Sequence, residues 1–159
     1  MFALIKAVHR IRPSHRGPAR FISDEAGCTT FYDRYSHNVG LAQRIERSLP
    51  DDLSWVSVAL FYAAVHLLNA YLLSKSSISG FSPTSAVDTS RQKLIEDHCP
   101  ELKAHSRRYR QLNDLSESVR YDPGLVFSPK HLSGAKADFA SYESFLLPKV
   151  KKRLVPRQH

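Results

Sequence analysis

The feature that most constrains this chain is a long run without charge. Between residues 53 and 73 there is no Asp, Glu, Lys or Arg, and the stretch from Trp55 to Tyr71 is the most apolar in the sequence. Such a segment must leave water, into either a membrane or a protein core. It is long enough to span a bilayer, but Ser54, Ser57, His66 and Asn69 interrupt it. A single span would also leave the other amphipathic segments with nothing to pack on. The expectation is the central helix of a soluble bundle, with no membrane partner. His66 sits inside it. A buried histidine needs a hydrogen-bond partner, because an unpaired buried polar group costs roughly 1–3 kcal/mol.

The remaining segments supply the partners. Tyr35, Val39, Ala42 and Ile45 give a helical spacing over 31–49. Pro50, Asp51 and Asp52 stop that helix and open the next, over about 52–74, with Asp51 as the expected N-cap. Residues 76–85 are Ser-rich with Gly80 and Pro83, the composition of a loop. A short helix is expected over 85–98, ended by Pro100. Leu102, His105, Tyr109, Leu112, Ser116 and Val119 recur at three and four over 101–121, and Asp122, Pro123 and Gly124 terminate that run. Phe139, Tyr142, Phe145 and Leu146 mark a last helix over 132–147, which Pro148 should break. No strand alternation is present. The fold class is all-α, four to five helices in a bundle. Residues 1–30 read as a basic N-terminal arm, 31–147 as the helical domain and 148–159 as a basic C-terminal tail.

A chain of 159 residues is one domain with a real core. Its two cysteines, Cys28 and Cys99, form neither a disulfide framework nor a zinc spacing. They fit a reducing compartment, so a cytoplasmic location is expected. There is no Gly-rich phosphate loop, metal-ligand cluster or nucleophile elbow. No metal or cofactor is expected, and ordinary kinase, hydrolase and zinc chemistry is unsupported. The net charge is +8. Five basic residues and no acid lie in 1–23, another five without an acid in 144–159, and the middle carries 13 basic against 15 acidic residues. That distribution favours basic arms over a folded basic groove. Residues 1–23 loosely fit a mitochondrial presequence, but Pro13, Gly17 and Pro18 oppose a long helix there.

Three constellations could carry chemistry. Trp55, Tyr62, His66, Asn69 and Leu73 share one face of the central helix, either as a semi-polar core stripe or as the lining of a small pocket at Tyr62 and His66. Tyr109, Leu112, Ser116 and Arg120 form a second stripe, followed by Tyr121. If buried, Arg120 must pair with an acid or bind an anion; its commoner fate is a surface carboxylate such as Glu117 or Asp122. Arg91 and His98 are seven apart, on one helix face. A histidine that moves the proton of a 2′-hydroxyl, with an arginine to steady the phosphorane charge, is the minimum set for metal-free RNA cleavage.

Two of these strings resemble a known family. Trp55, Phe61, Tyr62, His66, Asn69 and Tyr71 form one element. A helix bearing Arg91 follows a Ser/Pro loop, and then come Tyr109, Leu112, Ser116, Arg120 and Tyr121. Together, over roughly 37–121, they resemble small prokaryotic proteins of the HEPN superfamily. The resemblance implies a helical bundle that homodimerises. It also implies a metal-independent endoribonuclease or RNA-binding domain of the kind found in toxin–antitoxin, defence or RNA-processing systems, with an antitoxin-like protein partner. Its site would be Arg91 and His98, the loosest form of the superfamily's Arg-x4–6-His motif, with Tyr62, His66, Asn69, Tyr109, Ser116 and Arg120 in binding or support. Gln92 follows the arginine where the superfamily usually has Asn, Asp or His. Asp88 stands where the most similar small proteins tend to begin a His-x2-Arg. These departures motivate a second reading, a non-catalytic helical dimer or partner-binding module.

Overall fold

The structure is a computed structural model that describes residues 24–75 and 99–154. Four α-helices and two short 3-10 turns account for nearly all of these residues, and there is no strand among them. We label the helices α1 (Asp24–Ser48), α2 (Ser54–Ser74), α3 (Ser106–Tyr121) and α4 (Pro129–Leu154). The 3-10 turns are Pro50–Asp52, before α2, and Pro100–His105, before α3. The all-α bundle expected from the sequence is what forms. The segment expected as a loop and short helix over 76–98 lies outside the described residues, as do residues 1–23 of the basic arm expected over 1–30, whose residues 24–30 belong to α1.

The organising element is α2, which packs against α1, α3 and α4. Fifteen of its residues are buried, from Val56 to Leu72. Ala59, Ala63, Ala64 and Ala70 are almost fully buried. Their small side chains let neighbouring helices approach closely, and the Cys28 thiol of α1 donates to the Ala70 carbonyl at 3.4 Å. By length and composition α2 could cross a membrane, yet 83% of its most apolar window is buried inside the bundle. One run of rings crosses the core: Phe61 of α2, Tyr109 of α3 and Tyr142 of α4, with successive centroids 5.8 Å apart. Burial pushes the Tyr142 phenol well above its ordinary pKa, so this hydroxyl stays neutral in the core.

Polar ties hold the periphery. The Tyr35 hydroxyl of α1 donates to Glu143 of α4, and Lys136 of α4 pairs with Glu46 of α1. The turn before α3 is fastened to the end of α2 by Glu101, whose Oε1 accepts from the Tyr71 hydroxyl at 2.5 Å and from Lys75 Nζ at 2.6 Å. The Lys75 ammonium, then the Tyr71 hydroxyl, hold the Glu101 carboxyl at about 2, below its usual 4.5. Tyr71 is pushed up to about 12, by burial first and by its bond to Glu101 second.

Four local expectations are corrected. Asp51 is not the cap of α2: it lies in the 3-10 turn, and Leu53 holds the cap position without a side-chain bond. The helix expected from 31 begins earlier, at Asp24. The helix expected over 101–121 is α only from Ser106, because Pro100 opens a 3-10 turn first. The last helix starts at Pro129 and runs through Pro148 to Leu154. Its start is a reciprocal cap: the Ser128 N–H donates to His131 Nδ1 at 3.1 Å, and the His131 N–H to Ser128 Oγ at 3.4 Å. Histidine here takes the part Glu or Gln plays in a capping box, and Pro129 fills the first helical position. Pro148 removes one helical hydrogen bond but points to solvent, while Leu146 and Val150 on either side of it are fully buried. Their burial outweighs a proline defect of about 3 kcal/mol.

Two consequences can be measured. Pro148→Ala should stabilise the chain by about 2 kcal/mol in urea denaturation, the helix-interior penalty less the unfolded-state entropy proline removes. No change, or a loss, would mean that the helix does not continue through 148. The lowered Glu101 pKa means that the folded state binds this proton less tightly than the unfolded one. The stabilisation is therefore present above about pH 4.5 and fades as pH falls towards 2. In thermal melts from pH 6 to pH 2.5, Glu101→Gln should lose part of the acid dependence shown by the wild type. Superimposable profiles would remove Glu101 from the acid transition.

Candidate functional site

The polar stripe on α2 is exposed at one end and buried towards the other. Trp55 is 48% exposed and Tyr62 38% exposed. Farther along the same face His66 is half-buried, Leu73 is half-buried and Asn69 is buried. His66 is thus shallower than the sequence suggested, and the Phe31 ring of α1 lies against it at 5.8 Å. On the other side of the stripe, Arg120 of α3 reaches Tyr62. The stripe therefore runs between α1 and α3, along the side of α2 that its neighbours leave open at Trp55 and Tyr62.

Arg120 is the most telling side chain on this seam. Its Nε donates to the Ser116 carbonyl at 3.1 Å, and its Nη1 donates at 3.2 Å to both the Tyr62 and the Tyr121 hydroxyls. Its guanidinium carbon lies 5.7 Å from the Tyr62 ring centroid and 4.8 Å from that of Tyr121. Tyr121 is 73% exposed. No carboxylate lies within ion-pair distance of Arg120 among the described residues. The two acids expected to pair with it are engaged elsewhere. Glu117 Oε1 accepts from Asn113 at 3.3 Å, and Asp122 Oδ1 accepts from the Gly124 N–H at 2.9 Å in the turn that ends α3. A guanidinium held by phenols keeps its full charge and leaves a donor edge for an anion.

The six support residues separate into two groups. Tyr62, Arg120 and the flanking His66 line the seam. Tyr109, Asn69 and Ser116 are buried; Tyr109 packs between Phe61 and Tyr142 as part of the core. Ser116 reaches the seam only through its carbonyl. Arg91 and His98 lie outside the described residues. In the sequence Tyr121 reads as a mere follower of Arg120, although adjacent Arg and Tyr at a helix end, before Asp122 and Pro123, mark an exposed pair. Among the described residues no group of three or more His, Cys, Asp or Glu side chains could hold a metal ion. No family model matches the chain, and neither does any curated protein or solved structure.

Because the contacts of Arg120 are made at the surface, Arg120→Ala should change stability by less than about 1 kcal/mol. Leu112→Ala, two turns earlier and fully buried, should cost about 2–5 kcal/mol. Urea denaturation of both variants is the check. A larger loss for Arg120→Ala would make the arginine a structural strut rather than a ligand-facing group.

Proposed function

We propose that this chain is a HEPN-like domain that binds RNA or cleaves it as a metal-independent endoribonuclease. The observation that carries the reading is the Arg120 guanidinium, free of any carboxylate partner among the described residues and set against the Tyr62 and Tyr121 rings, on the α2 face that also carries Trp55 and His66. Unpaired nucleotides are recognised by this combination, a phosphate or base edge on the guanidinium and a base face on an aromatic ring. The resemblance assigns the chemistry to Arg91 and His98. His98 takes the 2′-hydroxyl proton as that oxygen forms its bond to phosphorus. Arg91 holds the charge that develops on the non-bridging oxygens. The bond to the 5′-oxygen breaks and that oxygen takes up a proton, leaving a cyclic phosphate and a 5′-hydroxyl. Arg120, Tyr62 and His66 position the strand. A second copy of the chain completes the site in this reading, and the compartment is the cytoplasm.

The second reading, a non-catalytic dimer or partner-binding module, has its own support. Tyr62 and Tyr121 are exposed beside Arg120, Trp55 is exposed farther along the same face of α2, and Trp, Tyr and Arg are the residue types that dominate interface energetics.

One assay separates the two. RNA cleavage is followed in EDTA for wild type, His98→Ala and Arg120→Ala, with circular dichroism and melting temperature to confirm the fold. The catalytic reading expects cleavage by wild type and a loss of about 10²–10⁴-fold in His98→Ala, with weaker RNA binding in Arg120→Ala. Equal activity in wild type and His98→Ala would remove His98 from the mechanism. A wild type that forms a dimer but cleaves nothing would favour the non-catalytic module.

A further inference from the structure

Two segments far apart in sequence meet at the end of the bundle opposite the Arg120 seam. They are the 3-10 turn with the first turn of α3, and the last turns of α4. The His105 ring stacks on Phe145 with centroids 4.2 Å apart and planes 23° from parallel. Lys149 Nζ lies 4.3 Å from the centroid of the same Phe145 ring. Burial lowers the His105 pKa, and the charges of Arg108 and Lys149 lower it further, so cations from both segments bear on one imidazole.

The surroundings are mainly basic, and the two acids there are each held in an ion pair, Glu101 with Lys75 and Asp138 with Arg108. From 102 to 113 the chain carries Lys103, Arg107, Arg108 and Arg110 without an acid, and from 144 to 154 it carries Lys149, Lys151, Lys152 and Arg153 without an acid. Arg108 has a partner, Asp138 of α4, at 3.4 Å. Lys103, Arg107, Lys149, Lys152 and Arg153 are exposed, and none pairs with a carboxylate among the described residues. Lys152 and Arg153 stand three and four residues beyond Lys149, hence beside it on the helix surface. Lys149, Lys151, Lys152 and Arg153, which read as part of a tail in the sequence, lie instead in the last turns of α4. The buried Val150 anchors these turns, and Phe145 in the turn before them stacks on His105 at the start of α3.

We propose that this end of the bundle binds the phosphodiester backbone of a nucleic acid strand, with Lys103, Arg107, Lys149, Lys152 and Arg153 as the phosphate contacts. Like charges gathered where two segments meet repel one another, but they raise the local potential for a polyanion. A membrane is the poorer fit. A basic face that lies on lipid also inserts large apolar side chains, and the exposed ones here, Leu49, Trp55, Tyr62, Tyr121 and Val126, all belong to other parts of the fold. The α4 half of the face lies outside the segment that carries the family resemblance, and Lys103 and Arg107 lie within it. The face rests on the RNA reading only for the choice of first probe.

The test uses the full chain. Fluorescein-labelled 20-nucleotide single-stranded RNA, and DNA of the same sequence, are titrated by anisotropy at several salt concentrations. The quadruple variant Lys103→Gln, Arg107→Gln, Lys149→Gln, Lys152→Gln should bind at least tenfold more weakly at low salt. Its log K against log [salt] slope should be shallower by about 3, from about 0.7 for each phosphate that is no longer neutralised. Lys130→Gln, at the other end of α4, should leave both quantities unchanged. Equal losses on both probes support binding to the backbone alone, and a loss confined to RNA names RNA as the strand. Wild-type binding that the folded quadruple variant retains would overturn this face while leaving the RNA reading intact. Wild-type binding to neither probe, with or without binding to anionic phosphatidylserine vesicles, would overturn both.

Discussion

The fold depends on the burial of α2. An uncharged helix of this length cannot remain in water, and no single neighbour can cover it, because its apolar residues run around nearly its whole circumference. Three helices are needed. The alanines at 59, 63, 64 and 70 set how near they come. The rest follows from that packing: the ring series Phe61, Tyr109 and Tyr142 joins α2 to α3 and α4, and the Cys28 thiol ties α1 to the α2 backbone. Even the proline in α4 is tolerated for this reason, since residues on both sides of it are needed in the core.

Three helices do not fully enclose a fourth, and the uncovered strip of α2 is where polar and aromatic side chains collect. Trp55, Tyr62 and His66 occupy it, and Arg120 arrives from α3 to lie over Tyr62. The phenols solvate the guanidinium without neutralising it, because the nearby acids are committed to Asn113 and to the turn after α3. At the far end of the bundle the pattern is different. There cations from two segments lie together around the His105 and Phe145 stack. One surface thus offers tyrosine rings with a single arginine, the other several cations around one ring stack.

Much of this was legible in the sequence. The 3.6-residue spacing of apolar positions located all four helices, and the lack of charge in 53–73 singled out α2 as their centre. Helix ends were less legible, since competing local signals decide them. Pro148 reads as a breaker until the burial of Val150 is known, and Asp51 reads as a cap until the 3-10 turn places it elsewhere. The start of α4 at Ser128 and Pro129 was readable but easily missed, because a histidine stands where a capping box usually has an acid or amide.

The sequence by itself determined the class of fold, the central helix and the residues able to bear chemistry. Periodicity and charge are properties of the chain that hold before it folds. Only the tertiary structure decided which of those residues meet. It moved Tyr109, Asn69 and Ser116 into the interior and brought Tyr62 to Arg120 on an open seam. It also placed Lys149, Lys151, Lys152 and Arg153, part of an apparent basic tail, in the last turns of α4. Such pairings join residues tens of positions apart, and they are fixed by how helices pack around α2. No spacing within a single helix encodes them.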